Sequence, residues 1–328
     1  MLTIQEEMAS LSIQDPTEFQ NLTLFPLLRR NPSPPEPGYM LLEDAIHRDL
    51  ARVAEVSDSG SVPELRFENH APLPILLLDG EELVGAKQNR VLNLSILAPA
   101  NATIQIPVSC VEAGRWQQNS SHFSPADAMQ YASARASRAK QVSKSIREHG
   151  SRHSDQHAVW EDIAAMSARL QTESGTGAMR AMYEKHRDSV ENYLRAFTYG
   201  TNQSGILYCI GGQNWGIDLL DHPASMSRIF SRLVRGYALD AIDVEMSANR
   251  KATPDQLTTF LKDVLLASSF TAPAVGLGKD VRITGTKACG GALWAEDRYV
   301  HLCAFSTDAS NDTDRPRTGI ARPSRRRG

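Results

Sequence analysis

DGEELVGAKQNRVLNLSILAPANATIQIPVSCVEAGRW, residues 79 to 116, decides the fold. Two runs inside it, residues 90 to 97 and 103 to 111, alternate or concentrate apolar side chains and are joined by APANA, which predicts neighbouring strands. Upstream, ARVAEVS, ELRFENH and PILLLDGEEL are three further short strand-like runs, broken by Gly60, Ser61, Pro63, Pro72 and Pro74. These runs are too short and too close together for the helical crossovers that parallel strands need. The first third is therefore expected to be mostly antiparallel β. NLTLFPLL, residues 21 to 28, predicts one more strand, and NPSPPEPG breaks the chain before a short helix from Tyr39 to Leu50.

After Trp116 the pattern changes. Ser124, Pro125 and Asp127 read as an N-cap, a first-turn proline and an acidic third position, which predicts a helix running to His149 and stopped by Gly150. Further helices are expected at residues 154 to 170 and 177 to 197, with Ser154 as the cap of the first of these. LYCIGGQNWGIDLL predicts strand, turn at Gly211 and Gly212, and strand. HPASMSRIFSRLVRGYALDAI and TPDQLTTFLKDVLLAS predict two more helices, and RITGT, GGALWAE and RYVHLCAFS predict closing strands, the last two a hairpin through Glu296 to Arg298. The expected class is α+β: an N-terminal mostly antiparallel β region, a central helical segment, and a C-terminal mixed α/β part packing back on it. Its divisions are an N-terminal segment at 1–20, one domain at 21–305 and a disordered, arginine-rich tail at 306–328.

The 328 residues carry a formal net charge of -3, which argues against a surface held to nucleic acid by charge, except through the tail with its six arginines. No run approaches the roughly 18 apolar residues of a membrane span. The opening MLTIQEEMASLSIQ lacks the basic flank and apolar run of a secretory signal. The four cysteines are widely spaced, which favours reduced thiols and a cytoplasmic location over a disulfide framework or a zinc site. There is no GxGxxG, GxxxxGK[ST] or HExxH.

Site candidates concentrate in the quoted stretch. Lys87 and Arg90 have the chemistry to bind phosphate or carboxylate, and Gln88 and Asn89 offer amides beside them. Glu81 or Glu82 suits a general base or a ribose diol acceptor; a solvated turn with internally paired charges is the plainer alternative. Glu112 beside Arg115 suits an oriented carboxylate or a structural ion pair. Cys110 suits a nucleophile or a small buried hydrophobe, and Trp116 a base-stacking surface or core cover. Arg135, Arg138, Lys140, Lys144 and Arg147 give one helix a basic face, either solvated or drawing a polyphosphate or RNA backbone toward the site. Asp155 and Gln156 fall in the first turn of the next helix, where free N–H groups attract anions. Carboxylates and amides this dense can also hold Mg2+ with a substrate phosphate.

LLLDGEELVGAKQNRVLN, IPVSCVEAGRW, SDQHAVW and YALDA, in that order, resemble the signature blocks of the ADP-ribosylglycohydrolase and rhodanese-phosphatase superfamily associated protein family, abbreviated ARPP. The resemblance covers about residues 20 to 245. It implies the company of ADP-ribosylglycohydrolase or phosphatase partners and a small nucleotide-like ligand. The positions it carries over are Glu81, Glu82, Lys87, Gln88, Asn89, Arg90, Cys110, Glu112, Arg115, Trp116, Asp155, Gln156 and Trp160. The resulting expectation is hydrolysis of, or other action on, an ADP-ribose-like or NAD-derived ligand. In it Lys87 and Arg90 hold phosphates, Glu112 moves a proton, Glu81 or Glu82 contacts ribose and Trp116 stacks the base. The alternatives are a sensor that binds without chemistry and a scaffold for a partner enzyme.

Overall fold

A computed structural model describes residues 1–31, 33–57, 60–117, 120–245 and 251–307. The predicted tail lies outside these residues from position 308 on. The fold is mixed α+β with mostly antiparallel sheets. One sheet of nine strands runs, in spatial order, Leu11–Ile13, Leu22–Arg29, Gln203–Ile210, Asn214–Leu220, Arg298–Ser306, Ala288–Ala295, Lys279–Thr284 and Ser268–Pro273, with Thr17–Phe19 paired beside the second. Sequence alternation sets its two faces. Ile206, Tyr208 and Ile210 enter one core, while Leu207 and Cys209 enter the other.

The first face is covered by the helices Ala132–His149 and Pro223–Glu245, the second by Pro254–Leu266, which inserts Phe260 and Val264. A six-stranded sheet, ordered Phe123–Met129, Glu81–Gly85, Arg90–Leu92, Ala102–Cys110, Glu64–Asn69 and Ala51–Glu55, forms the N-terminal β region. A three-stranded sheet, Ile96–Ala98, Ile75–Leu77 and Met40–Leu41, sits with it over a separate apolar core. The antiparallel bridge from Leu97 to Leu277 ties this unit to the C-terminal part.

Several expectations hold. The strand expected at residues 21 to 28 is present as Leu22–Arg29. Gly211 and Gly212 turn a hairpin with φ of 61° and 68°, and Glu296 and Asp297 turn another. Gly150 ends its helix in the left-handed region, at φ 67°.

Others are corrected. Ser124, Pro125 and Asp127 do not cap a helix: they lie in a strand paired with Glu81–Gly85, and the helix starts at Ala132. The strand wins because Phe123, Ala126, Ala128 and Met129 are buried in it, Phe123 and Met129 in two different cores, a gain that a local cap signal does not match. Asp155, not Ser154, caps Gln156–Arg169 through the His157 and Ala158 amides, at 3.0 and 3.2 Å. Ser154 instead meets the Ser109 hydroxyl. The segment expected as one helix from 177 to 197 is two, Arg180–Lys185 and Arg187–Ala196, meeting at His186.

Candidate functional site

Much of the quoted stretch closes into one hydrogen-bonded unit. Strand pairing sets Cys110 opposite Arg90, and the chain beyond Cys110 turns back over the loop at 86–89. Glu112 lies at the centre. Its Oε2 accepts from the Asn89 amide at 3.2 Å and from Arg115 Nε at 2.9 Å, and its Oε1 accepts from the Thr176 hydroxyl at 2.9 Å. Burial alone would raise this carboxyl, but the bonds from Arg115, Thr176 and Asn89 outweigh it and hold it below the usual range. Glu112 is thus a fixed anion. Arg115 also donates to the Ala86 carbonyl at 2.8 Å and to Asn89 Oδ1 at 3.1 Å, and Gln88 Nε2 donates to the Glu112 carbonyl at 2.9 Å.

Arg90 is fully buried. Its Nη1 reaches Gln88 Oε1 at 3.0 Å, but its Nε and Nη2 have no hydrogen-bond partner among the described residues. Burial lowers its pKa, opposed by Cys110 and Glu55. Over it lies Trp116, with its ring centroid 5.8 Å from the Arg90 guanidinium and 5.4 Å from Lys87 Nζ. That indole is 49% exposed, so one side is open to solvent. Burial pushes the Cys110 thiol up, which opposes thiolate chemistry. Gln156 exchanges two bonds with the Cys110 backbone, at 2.7 and 2.8 Å, and extends the strand edge with a side-chain amide. Asp155 stays outside the unit as a helix cap.

The two neighbouring glutamates part company, as successive strand residues do. Glu81 takes the Leu78 amide and Arg232, both at 2.7 Å, and ties the sheet to the long helix. Glu82 is buried with Oε1 unpartnered among the described residues. Burial pushes it up to about 8, with Arg180 opposing and Asp127 and Glu112 adding to the shift. At neutral pH Glu82 holds a proton and Glu112 does not.

The basic helix is the main surprise. Arg135 and Arg138 point inward. Arg135 forks onto Asp218 at 3.0 and 2.6 Å, and Arg138 bonds Asp79 at 2.5 Å. Tyr237 donates to Asp218 as well, at 2.5 Å. Burial would raise Asp218, but Arg135 and His301 outweigh it and hold the carboxyl down to about 2. These pairings were missed because a helix of lysines and arginines carries no local mark of where its acids sit, and the acids, Asp79 in a turn and Asp218 in a strand, lie 56 and 83 residues from Arg135.

Next to them Ser95, His301 and Asp218 form a row, with Ser95 Oγ 2.8 Å from His301 Nδ1 and His301 Nε2 3.6 Å from Asp218. The row resembles a hydrolase triad, but the adjoining cavity is about 10 Å3, the space of one water, and admits no substrate. Asp218, His301 and Cys303 also meet metal-ligand spacing. A cation does not fit there, because Arg135 and Tyr237 occupy Asp218 and Arg138 adds a second buried positive charge. Mg2+ fits the Glu112 unit no better, since that carboxylate is filled by donors and faces Arg115 and Arg90.

A family model described as the ARG and Rhodanese-Phosphatase-superfamily-associated Protein domain, ARPP-1, matches residues 10–305. No curated protein and no solved structure matches the chain. The chain belongs to the ARPP-1 family, whose name associates it with ARG and rhodanese-phosphatase superfamily proteins.

Proposed function

We propose that this ARPP-1 member binds an ADP-ribose-like, NAD-derived ligand at the face where Arg90, Lys87 and Trp116 meet, and hydrolyses it. The observation that carries the reading is Arg90. A buried guanidinium with two unpartnered nitrogens is costly, and a ligand phosphate would relieve that cost through charge-assisted bonds. Trp116, half exposed above it, offers the stacking surface for a base. The family's named association with ARG-type proteins favours ADP-ribose chemistry.

Glu112 supplies the argument for chemistry. Its donors keep it ionised at neutral pH, and such a carboxylate beside the Arg90 face stabilises the positive charge that develops on a sugar as a glycosidic bond breaks. Glu82 pairs opposite Val91 while Arg90 pairs opposite Leu83, so Glu82 projects from the other face of the sheet and is given no part in the step. A second reading, binding without turnover, is favoured by one fact: both oxygens of Glu112 already have donors, which leaves little capacity to accept a further proton.

Thermal unfolding against ADP-ribose, NAD, AMP and ribose phosphate, with and without Mg2+ and with products checked by chromatography, tests both. Ligand at about 100 times its dissociation constant adds roughly 2.7 kcal/mol of stability. Arg90→Met should abolish the ADP-ribose shift while leaving the ligand-free protein as stable or more so, because it removes an uncompensated charge. Glu112→Gln should keep the shift and lose the product. A shift without product in the wild type selects the binding reading. No shift with any of these ligands sinks the proposal.

A further inference from the structure

A cavity of about 550 Å3 opens on the opposite side of the Gln156–Arg169 helix from the Cys110 edge, between that helix, the first turns of Ala132–His149 and the ends of the strands carrying Trp215 and Phe305. Its size is that of a small-molecule site. One wall is apolar, with Tyr208 and Phe305 as its rings. The polar lining is built from separate elements. Tyr131 is 2% exposed, and its hydroxyl has no hydrogen-bond partner among the described residues. Burial, with Asp240 and Asp162 adding, keeps that phenol far from ionising, so it remains a neutral donor. Asp240, 7% exposed, accepts the Ser133 amide at 3.0 Å and the Ser133 hydroxyl at 2.5 Å, and so caps from outside a helix that has no side-chain cap of its own.

The charges select the ligand class. Arg169 spends its guanidinium on Asp243, at 2.8 to 3.0 Å. Lys140, half buried in the lining, makes no ion pair among the described residues. That leaves one uncommitted cation, which suits one anionic group and not a polyanion. Asp162 and Asp240 bring carboxylate oxygens, each able to accept more than one hydrogen bond, and such pairs suit hydroxyl donors. The Tyr208 and Phe305 rings in the same lining suit the apolar face of a sugar. We propose that this cavity is a second ligand site, for a sugar monophosphate, with Lys140 on the phosphate, Asp162 and Asp240 on hydroxyls, and the Tyr131 hydroxyl donating to a ring or hydroxyl oxygen. It stands apart from the Arg90 face and does not rest on the reading given for it.

Calorimetric titration of the full chain with ribose 5-phosphate, glucose 6-phosphate, the parent sugars, the matching sugar acids and inorganic phosphate tests the assignment. Sugar phosphates should bind saturably. Lys140→Met should weaken them about tenfold or more while leaving the parent sugars unchanged, and Tyr131→Phe should weaken both. Ser137→Trp, which fills the cavity from a half-buried helix position, should abolish binding at unchanged melting temperature. Arg90→Met should leave every affinity as it was, which separates failure here from failure at the other face. Affinity unmoved by Lys140→Met, sugar acids bound and sugar phosphates not, or no binding of any compound at millimolar concentration would overturn the assignment.

Discussion

At the scale of single residues, the same amino acid carries opposite meanings near the two ends of one helix. Arg147 stays exposed with its guanidinium 4.9 Å from the Phe270 ring, while Arg135 is sealed between Asp79 and Asp218. Gly80 makes room for it: a Cβ there would stand 2.8 Å from Arg135 Cδ. Truncating one partner of such a pair strands the other charge in the core, so Arg135→Met should cost about 3–5 kcal/mol. Adding Asp218→Asn should recover part of that loss, because the stranded charge is then gone as well. Denaturant unfolding of the two single variants and the double variant measures the coupling. A single Arg135→Met within about 1 kcal/mol of wild type would show that the pair is not buried as described.

The density of the candidate unit was legible in the sequence, since Gln88, Asn89, Arg90, Glu112 and Arg115 do meet. The partners that fix their states were not: Thr176 for Glu112 and Arg180 for Glu82 lie far along the chain. Asp240 and Tyr237 did stand in the quoted block YALDA, which was the one available pointer to the cavity and the buried trunk.

At the scale of elements, period and punctuation were read well where both agreed. The helix Pro223–Glu245 and the two hairpins with glycine or acidic turns were legible for that reason. The strand Ser268–Pro273 was not, because it is a short edge strand whose inward face is only Phe270 and Ala272, both half-buried. Phe123–Met129 was misread because its local cap signal was stronger than its alternation. The Gly150 signal was unambiguous, and its value can be isolated. A Cβ at Gly150 would meet nothing within 4 Å, so Gly150→Ala adds only the cost of a left-handed backbone, about 1 kcal/mol. Gly150→Asn should cost less, since asparagine tolerates that conformation better. Equal stabilities for all three proteins in chemical denaturation would mean that the helix end relaxes into another conformation.

At the scale of the whole molecule, buried carboxyls of two kinds set where on the pH axis the protein is most stable. Asp218 is held down to about 2 from 3.8, so its stabilisation is full above pH 3.8 and is lost as pH falls toward 2. Asp79 is shifted in the same direction and adds to the loss in acid. Glu82, raised from 4.5 to about 8, and Asp240, raised from 3.8 to about 6, act in the opposite sense. The unfolded chain releases their protons first, so each contributes stability below its ordinary pKa that drains away as pH climbs to the folded value. For Glu82 the slope is at most about 1.4 kcal/mol per pH unit across that window.

The two kinds together place the maximum on the acid side, between about pH 4 and 5, below the range common for globular proteins. Gln at position 82 mimics the protonated acid and cannot ionise. Glu82→Gln should therefore melt higher than wild type at pH 8, match it near pH 4.5, and move the maximum toward neutrality. Melting curves of both proteins from pH 3 to 9 decide the matter. If the two run parallel across that range, Glu82 keeps an ordinary pKa in the fold and is ionised at pH 7.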